Sequence, residues 1–368
     1  MTNLAALTQG ANLASPAVAV HRGPPWESVT NMTASAAARL RIDPEAETRR
    51  IAAALREQLG SVLGRRGLVV AMSGGVDSSV CAGLAVRGVG PQRVLGLALP
   101  ERESDPASLA LARTWADTLG VECVLEDIGP ILEACGCYWR RDEAIRRVVP
   151  EYGSRWRSKL VLRGSQLGSD RLSVTYLAVE PPGEEVRQVR LPPAEYRQIV
   201  AATNFKQRVR KMLEYYHADR LHYAVLGTPN RLEYDQGFFV KGGDGLADVK
   251  PIAHLYKTQV YQLAEYLGVP EAIRQRPPTT DTYSLPQTQE EFYFAIPAPT
   301  LDLVLSGLNA ERSSADVAGE LVGYRAEQID RAYRDIEQKR STTRYLHCPP
   351  LLVEQVDEVA AHSGGTSG

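Results

Sequence analysis

Short apolar runs recur through the first third of the chain, and the segments between them carry apolar residues at helical spacing. Gly67–Met72, 93–99 and 121–126 read as buried parallel strands. The intervening segments, about 46–60, 78–88 and 106–119, read as helices. This alternation predicts an α/β fold: a doubly wound parallel sheet with its ligand at the carboxyl ends of the strands. Residues 135–193 break the rhythm. A basic, Trp-containing stretch from Trp139 to Lys159 gives way to two alternating runs, Arg171–Val179 and Val186–Leu191, around Pro181-Pro182-Gly183-Glu184. These runs predict an antiparallel hairpin, inserted on the core with one face in solvent. The cluster Arg140, Arg141, Arg146, Arg147, Arg155, Arg157 and Lys159 reads as a solvated helix face, with anion binding as the other option. Beyond it, 194–216 is strongly helical, Tyr223–Leu226 reads as a strand and Thr258–Leu267 as a helix.

The expected organisation is one domain over 46–345 that carries the insertion 135–193. An N-terminal extension, 1–45, is rich in Ala, Thr, Asn and Pro and expected to be partly disordered, with a helix starting near Ala34–Leu40. A tail, 346–368, ends in the flexible run Ser-Gly-Gly-Thr-Ser-Gly. Composition adds exclusions. A chain of 368 residues buries a sizeable core, and its net charge of −2 argues against a broad nucleic-acid footprint. No apolar stretch approaches the roughly 20 residues that span a bilayer, and no secretory signal pattern opens the chain. The five Cys are scattered, and Cys135-Gly136-Cys137 lacks the spacing and the second pair of a zinc site. The expectation is a cytoplasmic protein with free thiols, no membrane and no nucleic-acid partner.

The chemistry concentrates first at Ser73-Gly74-Gly75-Val76-Asp77-Ser78-Ser79, between the strand Gly67–Met72 and a helix. A strand, a Gly-rich turn and a helix N-terminus form an anion site, because unpaired N–H groups and the helix dipole face the ligand. The glycines let the backbone approach phosphate, and Ser73, Ser78 and Ser79 add hydroxyls. No Lys follows, so this is not a Walker loop. An acid inside a phosphate cradle, Asp77, makes sense if Mg²⁺ sits between it and the phosphates. The strand Tyr223–Leu226 runs into Gly227-Thr228-Pro229-Asn230-Arg231-Leu232-Glu233 at the same sheet edge, with Glu233 a candidate second metal ligand. Gly242, Gly243 and Gly245 mark a tight loop presenting Lys241, Asp244 and Asp248. Arg208 and Arg210, two apart on a helix, point to different faces.

The first loop resembles the pyrophosphate loop of the N-type ATP pyrophosphatases, which include NAD synthases, GMP synthases, asparagine and argininosuccinate synthetases and several tRNA-modifying enzymes. The downstream strings narrow the choice. Asn204-Phe-Lys-Gln-Arg-Val-Arg210, Gly227-Thr228 to Glu233, Gly237-Phe-Phe-Val-Lys241-Gly-Gly-Asp-Gly245 to Asp248, Lys257 at a helix start and Pro278-Thr279-Thr280-Asp281 resemble ammonia-dependent NAD synthase, in order and spacing. The resemblance covers 46–134 and 194–345. It implies an adenine-nucleotide alpha hydrolase-like fold and ATP-dependent amidation of deamido-NAD to NAD through an acyl-adenylate, releasing AMP and pyrophosphate. By the same resemblance ATP would lie on Ala71, Met72, Ser73, Gly74, Gly75, Val76, Asp77 and Ser78, with Thr228, Lys257 and Thr279 as further contacts. Asp77 and Glu233 would hold Mg²⁺, and Arg208, Lys241, Asp248 and Lys339 the deamido-NAD.

Catalysis on this reading rests on positioning and electrostatics, with no nucleophilic side chain. Ammonia is the expected nitrogen donor, since the N-terminal 45 residues hold no Cys and offer no second active site; glutamine would need a separate amidotransferase. The resemblance also implies a homodimer, with helix 194–216 as its candidate interface through Ile199, Val200, Val209, Met212 and Leu213; packing on its own sheet is the competing reading. Departures from the family pattern are Val240, Gln207, Pro229-Asn230, Gln338 and the insertion. The insertion and Gln338 leave a different carboxylate substrate as the alternative.

Overall fold

The computed structural model describes residues 32–163, 174–279, 282–294, 296–354 and 356. Most of the N-terminal extension, the end of the tail, 171–173 of the first hairpin run and Asp281 lie outside the described residues. Helices α1 (Ala34–Arg39) and α2 (Pro44–Glu57) come first, and the Asp43 side chain caps α2 by accepting from the N–H groups of Glu45 and Ala46. The predicted alternation follows: β1 (Leu68–Ala71), α3 (Val76–Val89), β2 (Val94–Ala98), α4 (Pro106–Leu119) and β3 (Glu122–Leu125). Helices α5 (Gly129–Ala134) and α6 (Cys137–Arg146) lead to β4 (Arg157–Arg163), β5 (Val174–Glu180) and β6 (Arg187–Arg190). The long α7 (Pro193–Leu221), β7 (Ala224–Leu226), α8 (Arg231–Asp235), α9 (Lys257–Tyr266) and α10 (Glu271–Arg274) come next. Helices α11 (Ala298–Asn309), α12 (Ser314–Ala318) and α13 (Ala326–His347) close the described chain.

The main sheet runs β3-β2-β1-β7, with every neighbouring pair parallel. From β1 the chain steps to β2 and β3 on one side, then returns to β7 on the other. That reversal opens a crevice at the carboxyl ends of β1 and β7. Leu68 and Val70 pack toward α2, α3, α4 and α9, in a cluster with Leu55, Val80, Trp115 and Val260. Val69, Leu95, Leu97 and Val225 pack on the opposite face with Ile128, Leu132 and Val209. Burial on both faces is why these strands are apolar without alternation. A separate cluster joins α1 to α11, α12 and α13 through Ala36, Val304, Val317, Ile329 and Ile336.

The insertion departs from its expectation in two ways. The hairpin is present: β5 and β6 pair antiparallel, and Glu184 N–H donates to Pro181 O at 3.2 Å across a turn where Gly183 takes φ +79°. A third strand, β4, pairs on the far side of β5 and starts within the last residues of the stretch read as basic helix surface. Nor is one face left to solvent. Leu160, Leu177 and Val179 pack with Ile145, Tyr152 and Ile199, while Val161 and Ala178 meet Leu285 on the other side.

The solvated-face reading holds for Arg140, Arg146 and Arg147, exposed on and just after α6, and Arg155 and Arg157 are exposed beyond it; it fails for Arg141, because α6 packs along α7. Arg141 is only 4% exposed and ion-paired to Glu103 and Asp142 at 2.7 and 2.8 Å. Arg147 pairs with Glu195, Arg157 with Glu180 and Lys159 with Glu291. On α7, Ile199 and Val209 are buried within their own chain, whereas Met212 and Tyr216 are exposed.

Candidate active site

A cavity of about 500 Å³ opens at the carboxyl ends of β1 and β7. Its floor is the loop between β1 and α3. Gly74 takes φ +73°, and a Cβ there would come within 2.5 Å of the Ser108 carbonyl, so only glycine lets the loop lie against α4. Gly75 caps α3 with no side-chain bond, leaving the first N–H groups of a fourteen-residue helix directed at the cavity. The serines divide their work. Ser78 Oγ and Ser79 Oγ both donate to Gly75 O, at 3.0 and 2.9 Å, and Ser73 N–H donates to Ser78 Oγ at 3.3 Å. Ser79 turns inward, where its carbonyl accepts from Trp115 Nε1 at 2.9 Å, so it ties the loop to the core.

Asp77, in the first turn of α3, meets two partners from the other half of the sheet. Its Oδ1 accepts from Asn230 Nδ2 at 3.0 Å, and its Oδ2 is ion-paired to Lys257 Nζ. Asn230, 1% exposed, is the N-cap of α8 and forms a reciprocal capping box with Glu233. Its N–H donates to Glu233 Oε2 at 3.0 Å, and Gln289 Nε2 donates to Glu233 Oε1 at 2.8 Å. One asparagine thereby spaces both carboxylates. Burial and the neighbouring Asp77 raise Glu233 above the ordinary carboxylate range. Burial works against the charge of Lys257, yet Asp77 and Glu233 hold it protonated and raise it overall. Lys257 opens α9, and buried Asp302 fixes that end by accepting from the N–H groups of Lys257 and Thr258 at 3.1 and 2.7 Å.

Two acids pressed together beside a phosphate-type loop suit a hard divalent cation. Among the described residues no group of three or more His, Cys, Asp or Glu could hold a metal alone. Phosphate oxygens and water would complete the shell, as they do for Mg²⁺.

Of the residues singled out from sequence, Ala71, Met72, Ser73, Gly75, Val76, Asp77 and Ser78 line this cavity. Thr228, Glu233, Lys257, Thr279, Arg208 and Lys241 line it as well. Gly74 lies behind the lining, against Ser108. Arg208 and Arg210, expected on different faces, both reach the cavity; their Nε groups donate to the carbonyls of Lys241 and Leu99 at 3.3 and 3.2 Å. Lys241 Nζ is held by the carbonyls of Tyr345 and Cys348 at 2.7 and 3.0 Å. Asp248 and Lys339 are not in the lining. Asp248 accepts from Val225 N–H and Tyr215 OH at 2.7 and 3.2 Å, stapling β7, and Lys339 pairs with Asp335 at 2.8 Å over the Tyr293 ring.

Sequence reasoning assigned no role to Asn230 or Gln289. Asn230 was readable, because Asn-x-x-Glu after a strand is a helix-start pattern. Gln289 carried no local signal.

The family model described as NAD synthase matches residues 47–167 and 168–343. An NH(3)-dependent NAD(+) synthetase of Rhizobium meliloti (strain 1021) is 58% identical over 320 residues, 87% of this chain and 95% of the relative. One from Mesorhizobium japonicum is 59% identical over 319 residues, 87% of this chain and 99% of the relative. Such alignments are too long to leave out the whole of 135–193. In fold, the chain is similar to the NMN synthetase of Francisella tularensis, with TM-score 0.59, 22% identity and coverage of 85% and 99%. It is likewise similar to an NH3-dependent NAD synthetase from Campylobacter jejuni, with TM-score 0.54, 20% identity and coverage of 85% and 100%.

Proposed function

Since the chain belongs to the NAD synthase family, we propose that it amidates deamido-NAD to NAD with ATP and ammonia. The observation that carries this reading is the Asp77–Asn230–Glu233–Lys257 constellation beside an amide-lined loop, in one cavity at the β1–β7 crevice. The N–H groups at the start of α3 would receive the phosphates of ATP, as helix N-termini receive anions. Asp77 and Glu233 would hold Mg²⁺, whose chemistry is to withdraw charge from the phosphates during displacement. Lys257, kept charged by both acids, adds a fixed positive charge at the same place.

The dinucleotide carboxylate would attack the α-phosphorus, forming an acyl-adenylate and releasing pyrophosphate. Ammonia would then attack the acyl carbon, and AMP would leave with the carboxyl oxygen it had captured. A carboxylate is a poor electrophile, and adenylation makes it reactive. The chain's part is to align the reactants and keep a fixed charge array. Arg208 and Lys241, neighbours in the cavity lining, are proposed to receive the dinucleotide. Asp248 and Lys339 are proposed to act one step behind, through β7 and Tyr293.

The relatives whose alignments reach into the insertion carry the name NAD(+) synthetase, which favours deamido-NAD over another carboxylate. No described helix is long and apolar enough to cross a membrane, and the proposed setting is the cytoplasm. We also propose a homodimer, with the exposed side chains of Met212 and Tyr216 on α7 as part of its contact. Dinucleotide-dependent exchange of labelled pyrophosphate into ATP, with ammonia omitted, tests the adenylation step. Exchange with a mononucleotide carboxylate but not with deamido-NAD would move the substrate assignment.

A further inference from the structure

The outer edge of β4 would ordinarily present unpaired backbone groups, a liability that folded proteins cover. Here it is covered by the chain that forms one wall of the cavity. Leu285 N–H donates to Ser158 O at 3.2 Å, and Ser158 N–H donates to Ser284 Oγ at 2.8 Å. The Gln287 side-chain amide donates to Leu160 O. Lys159 Nζ donates to Pro286 O at 3.0 Å and pairs with Glu291 at 2.7 Å. Three consecutive residues of β4 thus grip the segment 284–291.

The near end of the same wall is tied down separately. Lys206, 1% exposed, donates to Thr282 O at 2.8 Å and to Glu101 and Glu103 at 2.9 and 2.7 Å. Arg141 of α6 closes this network on Glu103, and Tyr138 OH donates to Glu101 at 2.7 Å. Along this wall, Thr282, Tyr283, Gln289, Phe292 and Tyr293 line the cavity, and Gln289 holds Glu233. The wall's own regular structure is one π-helical turn over Glu290–Phe294 and a single bridge between Thr279 and Thr288, with Gln289 N–H donating to Pro278 O at 3.2 Å.

We infer that the inserted sheet is a clamp that sets the 282–293 wall, and through Gln289 the Glu233 carboxylate, in place before nucleotides bind. Lys159, Gln287 and Lys206 are its positioning residues. The inference rests on reading the cavity as the nucleotide site. Its physical content is entropic: backbone ordered during folding does not have to be ordered by the substrate, so the wall adds nothing to the ordering cost of binding. An otherwise bare loop with the same lining residues would bind the same nucleotides more weakly.

Hydrogen–deuterium exchange on the full chain without nucleotide tests this, followed over peptides within 282–293. The wall of the natural protein should exchange slowly, and adding ATP with deamido-NAD should change it little. Lys159→Met and, separately, Gln287→Ala should speed its exchange about tenfold in the free protein, with protection restored by nucleotides. The same variants should raise KM for deamido-NAD about tenfold while kcat stays within about twofold, and Lys159→Arg should restore both readouts. A natural protein whose wall exchanges fast when free and slows only with nucleotides would overturn the clamp. So would two folded variants that leave exchange and KM unchanged. The free-protein exchange measurement uses no substrate: slow exchange in the free natural protein, with no turnover of deamido-NAD, would keep the clamp and remove the substrate assignment.

Discussion

The Ser73–Ser79 floor and the 282–293 wall face one cavity and are held by opposite means. The floor is local: its serines and Gly75 bond to one another within five residues, between a strand and the helix that follows. The wall is remote. Its anchors on β4 lie 126 to 132 residues away in sequence, and Lys206 is 76 residues from Thr282. A floor built this way tolerates little change of residue, because geometry and chemistry share the same side chains. A wall built this way separates them: the residues that hold it are not the residues that face the substrate.

The sharpest way to break that contrast is at the floor. Asp77→Asn and Glu233→Gln should each cut Mg²⁺-dependent turnover by about a thousandfold or more while leaving thermal unfolding nearly unchanged, because each removes an acid next to another acid. Near-natural rates at saturating Mg²⁺ would remove that residue from the metal site. At the wall the largest effect should be on stability. Lys206→Met leaves Glu101 and Glu103 buried without their shared cation and should cost about 3–5 kcal/mol in urea unfolding. A loss below about 1 kcal/mol would mean the network is not stabilising.

Two lysines sharpen the division between nucleotides. Lys257→Ala should raise KM for ATP more than for deamido-NAD, about tenfold or more. Lys241→Ala, which also frees the carbonyls of Tyr345 and Cys348, should do the reverse. Equal effects on both KM values would defeat the assignment.

A pH test concerns Asp302, which burial pushes from its ordinary 3.8 up to about 7 even though it accepts from two N–H groups. Its neutral form is favoured in the folded chain, so its contribution is complete below pH about 4 and is lost as the pH rises through about 7. Asp302→Asn should flatten the fall in stability across that window, by up to about 1.4 kcal/mol per pH unit. Parallel stability profiles for the two proteins would show that Asp302 stays ionised throughout.

The same contrast explains what the sequence disclosed. The strand–loop–helix at 68–89 and the Gly227–Glu233 turn were legible because each is a short run whose residue types follow from its own backbone. Asp77 and Glu233 read as a pair of metal ligands at one sheet edge, Lys257 entered through the resemblance, and the fold brings all three together. β4 was hidden because its basic residues are spent on ion pairs with distant acids, and Arg141 looked solvated because its partner Glu103 lies in another segment. Gln289 had no signal at all, since its role exists only once the wall has folded against Glu233.

The central claim is that one cavity performs adenylation and amidation on the same dinucleotide. Purified chain should be incubated with deamido-NAD, ATP and Mg²⁺, with either ammonium chloride or glutamine, and all products quantified. The account predicts NAD, AMP and pyrophosphate in equal amounts with ammonia, faster at higher pH where more of it is unprotonated, and none with glutamine alone. ADP and phosphate in place of AMP and pyrophosphate, or NAD formed from glutamine with ammonia scavenged, would contradict it.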